Sequence, residues 1–184
     1  AKENTIPGAK VQDHGISTGV VFKGEITGDA VTAAGGETIY VFENVLYGKW
    51  ADVVTASEAA NAPATLVAAV NKVTAGTAHD AAGFTGYKAE DDGKYYAYYY
   101  YWNRHNDNGD NTKMGPMEFA VVRNNVYKLC VDKIAKFGHP NPNDVDPIDP
   151  DPENPDDPDE SINYYFTVTV KVLPWVVRVN HIEF

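Results

Sequence analysis

The chain ends in 24 residues, Ser161–Phe184, that read as apolar β structure hung on an acidic, proline-rich connection. A terminus is ordinarily polar and frayed. This one closes on Ile182-Glu183-Phe184. Strand-forming apolar sequence at a chain end must be covered, by its own domain or by another molecule, because an uncovered strand edge templates aggregation. Within it Ile162, Tyr164, Phe166, Val168, Val170 and Val172 fall on one face, and Asn163, Thr167, Thr169 and Lys171 on the other. Leu173-Pro174-Trp175 interrupts the alternation, since proline cannot donate to a central ladder. The last piece, Val176 to Phe184, carries Val177 and Val179 on one face and Val176, Ile182 and Phe184 on the other. A strand buried between two layers has this composition.

The connection, residues 139–160, holds nine acids, seven of the eleven prolines and no Lys or Arg. Removing it from the chain's net −11 leaves 15 basic against 17 acidic residues, so the acidity belongs to a tether and not to a substrate-steering face. Repelling carboxylates and fixed proline φ angles keep it extended, and its 22 residues reach roughly 65–70 Å at about 3.1 Å each. A hairpin connection needs two to five residues. Three parts are therefore expected: residues 1–138 as a β domain, 139–160 as a tether and 161–184 as a pair of terminal strands. No basic stripe suits nucleic acid, and no segment reaches the ~18 apolar residues of a membrane span. The start, Ala1-Lys2-Glu3-Asn4-Thr5, lacks Met and reads as a processed chain or a fragment.

Strand signals dominate residues 1–138. Val20–Ile26 sets Val20, Phe22 and Ile26 against Lys23 and Glu25. Thr38–Val45, Lys94–Trp102 and Val126–Ile134 are further expected strands, separated by Gly and Asn/Asp clusters. Pro63–Val73 is expected as a helix, with Pro in its first turn, Leu66, Val67, Val70 and Val73 as its apolar side, and Gly76 beyond its end. A shorter turn is expected near Ser57, and Met117–Val122 fits either a strand or one helical turn. The fold class is mainly β with one or two short helices. Cys130, the sole cysteine, excludes an intrachain disulfide and is expected to be a buried small hydrophobe.

Motifs that could carry chemistry are weak. Gly15-Ile16-Ser17-Thr18-Gly19 matches a nucleophile elbow, but that device needs a helix after the serine and a strand follows instead. Asn103–Asn111 resembles a calcium loop, yet with Gly109 at the sixth position Arg104 and Gly115 fall where carboxylates are required. The histidines show no metal-ligand spacing and no carboxylate pair suits acid/base work. No catalytic residue, metal or cofactor is expected. The Tyr95–Trp102 run reads first as core and cross-strand pairs, and second as a glycan or peptide platform of a secreted adhesin.

Several blocks together carry a resemblance: Glu3-Asn4-Thr5, Thr18–Gly24, Glu118–Leu129 and Leu173-Pro174-Trp175. The chain resembles the C-terminal domain of the Mfa-like fimbrillins, the type V pilins of Bacteroidia, and among these is most like the major subunits of short fimbriae. The resemblance implies a transthyretin-like β-sandwich with a C-terminal donor-strand extension. It implies an exported lipoprotein precursor, trimmed by an Arg-specific protease to open a groove that a neighbour's C-terminal strand fills. Carried onto this chain, the donor strand is Val176, Val177, Val179, Ile182 and Phe184, and the hinge is Leu173, Pro174 and Trp175. The lipidated N-terminus, the cleavage site and a first domain are not in this sequence. The implied partners are identical subunits in a filament, accessory fimbrial subunits, and host or bacterial surface proteins. The implied location is an extracellular fimbrium anchored at the outer membrane, with membrane contact only through the precursor's lipid. Burying the five apolar side chains of such a strand contributes ~1.5–3 kcal/mol each, gross.

Overall fold

A computed structural model describes residues 17–106, 108–110, 113, 115–142 and 166–174. These form seven strands in three sheets, with three short helices. The mainly β class is as expected from the pattern. The chain divides into two compact units. In described residues, one holds 21–99 and 136–142, the other 17–20, 100–135 and 166–174.

The larger unit is built on a three-stranded antiparallel sheet in the order β3-β2-β4. Here β2 is Ile39–Phe42, β3 Val45–Tyr47 and β4 Thr85–Tyr87. The single strand expected over Thr38–Val45 is instead a hairpin. Phe42 faces Val45 across a two-residue loop, and Glu43 and Asn44 have φ of 46° and 66°. Two successive left-handed residues make the tight turn that matches strand twist. Asn is at home there and Glu is not, which hid the turn from the pattern.

Helix α2, Trp50–Ser57, and helix α3, Ala64–Thr74, pack on this sheet around Phe42, Val53, Leu66, Ala69, Val70, Ala82 and Phe84. The expected helix agrees with α3, and the expected turn near Ser57 is the end of α2. Helix α3 stops in a Schellman motif: Thr77 N–H bonds the Lys72 carbonyl, Gly76 N–H bonds that of Val73, and Gly76 takes φ 100°. In α2 the Asp52 carboxylate accepts from the Lys49 N–H at 2.9 Å. Its first helical neighbour, α1 at Asp29–Ala34, was not expected; the glycines at its two ends were its only signal.

Strand β1, Gly19–Ile26, pairs with β5, Tyr95–Trp102. The alternation read from the sequence holds in β1, with even positions turned inward. In β5, Tyr95, Ala97, Tyr98, Tyr99, Tyr101 and Trp102 are all buried, so the run is core and presents no open platform. The chain returns to β5 at His139, which exchanges two 2.8 Å backbone bonds with Tyr98. Gly138 must be glycine there, because a Cβ would run into the Tyr98 carbonyl oxygen. The expected tether thus begins with a residue held in a bridge; its residues 143–160 lie outside the described residues.

On the outer side of β1, Lys23 Nζ lies 2.7 Å from the Glu90 carboxylate and 3.6 Å from the centre of the Tyr96 ring. The Tyr98 hydroxyl donates to the same carboxylate. Bonding to Lys23, then to Tyr98, holds the Glu90 carboxyl below its ordinary value, and bonding to Glu90 raises the Lys23 ammonium. A depressed acid stabilises the fold above its unfolded pKa of about 4.3 and loses that contribution as pH falls through the lower folded value. Both groups are solvent-exposed, so the contribution is small. Replacing Lys23→Met should move the Glu90 carboxyl titration, followed by carbon-13 NMR, upward toward about 4.3. An unchanged titration would show that Lys23 does not set it.

Candidate assembly surface

The second unit is organised around strand β6, Asn125–Ile134, and strand β7, Phe166–Pro174. They form an antiparallel ladder with Asn125 opposite Pro174, Leu129 opposite Val170 and Ile134 opposite Phe166. The register jumps from Val131↔Val168 to Lys133↔Thr167, leaving Asp132 as an extra residue. This bulge moves Ile134 onto the face that carries Val131, Leu129 and Tyr127. Without it, Ile134 would share the opposite face with Val126 and Cys130.

The approach to β6 is fixed by a buried ion pair that the sequence reading passed over. Glu118 is 0% exposed and Arg104 is 5% exposed, and the Arg104 Nη1 donates to Glu118 Oε1. The other carboxylate oxygen accepts from Gly115 N–H at 2.6 Å, and the Glu118 backbone carbonyl accepts from His105 N–H at 2.6 Å. Arg104 also lies 4.8 Å from the centre of the Phe119 ring, which packs with Trp102. Gly115 approaches closely enough that a Cβ would come within 3.2 Å of the carboxylate. Each carboxylate oxygen that burial strips of water is thereby given a protein donor. Met117, with φ 62°, turns the chain just ahead of Glu118, so the first half of Met117–Val122 is a turn, while Val121 beyond it makes a β-bridge.

A second fastening follows. The Tyr127 hydroxyl accepts from Val122 N–H at 2.8 Å and sits 2.8 Å from His105 Nδ1. The hydroxyl can also donate to that ring nitrogen or accept from it, according to the imidazole tautomer. Residues 104–105 therefore hold both the turn at Glu118 and the start of β6.

What this machinery holds in place is an apolar ribbon. Val126, Val131 and Ile134 are 55%, 41% and 54% exposed. Cys130 is exposed too, which corrects the expectation of burial. Its position on the face of Val126 and Lys128, away from Tyr127 and Leu129, accounts for this. Among the described residues the ladder has two strands only. A two-stranded ladder is marginal alone, and these β6 side chains add exposed apolar surface to it.

The site residues expected from the sequence are partly in view. Leu173 and Pro174 lie at the end of β7, opposite Val126 and Asn125. Trp175 and the donor residues Val176, Val177, Val179, Ile182 and Phe184 lie outside the described residues. Ser17 is followed directly by β1 and not by a helix, as the loop reading of its motif required. The calcium-like loop starts on buried Asn103 and on Arg104, whose charge is spent on Glu118. Its Asn108 carboxamide oxygen accepts from the Asp110 N–H at 2.6 Å, the hydrogen bond of an Asx turn.

Residues 93–181, which include β5, the Arg104–Glu118 pair, β6 and β7, match the family described as major fimbrial subunit protein type IV, fimbrillin, C-terminal. This stretch of the chain is similar to a fimbrillin C-terminal domain. No curated protein matches the chain. The fimbrillin match contains the whole block from Glu118 to Leu129, and Glu118, Phe119 and Ala120 within it are fully buried. The match thus includes the Arg104–Glu118 pair and all of β6. Replacing Glu118→Leu removes the counter-charge of the buried Arg104, a loss of about 3–5 kcal/mol in urea unfolding. The double replacement Arg104→Met with Glu118→Leu should recover most of that loss. A single variant as stable as the parent would show the pair to be dispensable.

Proposed function

We propose that the chain is the assembly-competent part of a fimbrial subunit, which polymerises by donating residues 176–184 to a groove in a neighbouring subunit. The fimbrillin match supports the fimbrial role. The observation that carries the donor-strand reading is the β6–β7 ladder, which secures the chain up to Pro174. The segment assigned to the neighbour begins beyond that proline. An added strand gains main-chain hydrogen bonds along its length and places alternate side chains in pockets, and the pattern Val177, Val179 against Val176, Ile182, Phe184 suits burial on both sides. Leu173, Pro174 and Trp175 act as the hinge between the anchored strand and the exported one.

Identical subunits are then the principal partners, joined by accessory subunits in an extracellular filament at the outer membrane, and contact with host or bacterial surfaces is made by the filament. The competing reading, an adhesin that uses Tyr95–Trp102 as a platform, is disfavoured by the burial of those rings. Full-length subunit lacking residues 176–184 should fold and remain monomeric, with no fibres by electron microscopy. Fibres of ordinary length from that variant would overturn the donor assignment.

A further inference from the structure

A cleft of about 490 Å³ opens on the larger unit between Gly36, Glu37 and Thr38 on one side, Lys88 and Ala89 on the other, and the rings of Tyr40 and Trp50. It is far from the residues used above for assembly in sequence and shares none with them. Its volume falls in the range that holds a small ligand.

The walls are rigid. Trp50 packs edge-on against Tyr40 at 5.3 Å, His79 at 4.3 Å and Phe84 at 5.1 Å between ring centres. Gly86 has no side chain, and a Cβ there would press within 3.2 Å of the Thr38 methyl and 3.6 Å of the Tyr40 ring. Gly36, at φ 93°, leaves its side of the cleft open, with nothing within 4 Å of where a Cβ would stand.

The polar groups are unspent. The Tyr40 and Thr38 hydroxyls, the Trp50 indole N–H and the Lys88 ammonium make no hydrogen bond or ion pair among the described residues. Glu37 has only a long contact of 3.9 Å to Lys49. Two donors, one acceptor and two groups that do both are therefore gathered beside two half-exposed aromatic rings. A phosphate or other anion would be repelled by Glu37, and a purely apolar ligand would strand five polar groups. A pyranose has the matching chemistry: hydroxyls that both donate and accept, and a C–H face that lies on an aromatic ring.

We propose that this cleft binds a neutral saccharide of one or two pyranose rings, with Tyr40 and Trp50 against the sugar face and Glu37, Thr38 and Lys88 bonding its hydroxyls. The chain would then carry a glycan contact on a unit separate from its assembly ribbon. Titrating the full chain with methyl glycosides of glucose, galactose, mannose and N-acetylglucosamine, followed by proton–nitrogen NMR, tests it. At least one should shift the amides of residues 36–40 and 88–89 and the Trp50 indole resonance, with a dissociation constant on the order of 1 mM. Thr38→Val and Lys88→Met alter exposed or half-exposed side chains and should each weaken that binding by about tenfold without changing the remaining spectrum. If none of the glycosides moves these resonances, or if both variants bind as the parent does, the proposal fails. It fails equally if the same resonances respond only to a dipeptide, which would assign the cleft to a peptide terminus.

Discussion

The bond between Arg104 and Glu118 is the constraint on which the assembly unit depends. A carboxylate that is fully buried must find a counter-charge and further donors, or it does not stay ionised. Glu118 finds them in Arg104 and in the N–H of Gly115, and its own carbonyl takes the N–H of His105. These contacts tie residues 104–105, just after β5, to residues 115–118. Tyr127, fastened to Val122 and to the same His105, then sets where β6 begins. Strand β6 in turn carries β7, paired from Phe166 to Pro174.

The end of that ladder at Pro174 gives the terminal sequence its meaning. Ile162 to Val172 alternates polar and apolar residues, and the described part of it, from Phe166, lies as β7 on its own unit. The ladder extends two residues beyond the alternating run, to Pro174. Proline is tolerated at a strand end, where no further donor is needed. The long acidic connection is also explained in part. Residues 137–139 run back to β5 before the chain returns to pair Phe166 with Ile134, so the link between two neighbouring strands is not a simple turn. On the ribbon itself, the bulge at Asp132 aligns Val131 and Ile134 on one face and leaves Val126 on the other. Both faces thus offer apolar surface for cover.

Much of this was legible in the amino-acid order, and the remainder has physical reasons for being hidden. Periodicity located β1, β5, β6 and α3, because each buries one side of a regular repeat. It joined β2 and β3 into one strand because Glu43 occupies a left-handed turn position without looking like a turn residue. The three-residue strand β4 and the six-residue α1 are too short to show a period. Cys130 is a hydrophobe by type, and only the register of β6 shows which face it takes. The buried ion pair was the largest omission. Arg104 and Glu118 each look like ordinary surface charges, and nothing in a 14-residue separation signals that both are buried and paired.

The central claim is that β7 remains on its own subunit while the segment after Pro174 passes to a neighbour. A disulfide trap tests it most directly: full-length subunit with Leu129→Cys and Val170→Cys, in a Cys130→Ser background, oxidised and then analysed on non-reducing gels before and after fibre formation. The register predicts a cross-link within one chain, and fibres that still assemble from the cross-linked subunit. Cross-links that join different chains, or a cross-linked subunit that no longer forms fibres, would contradict it.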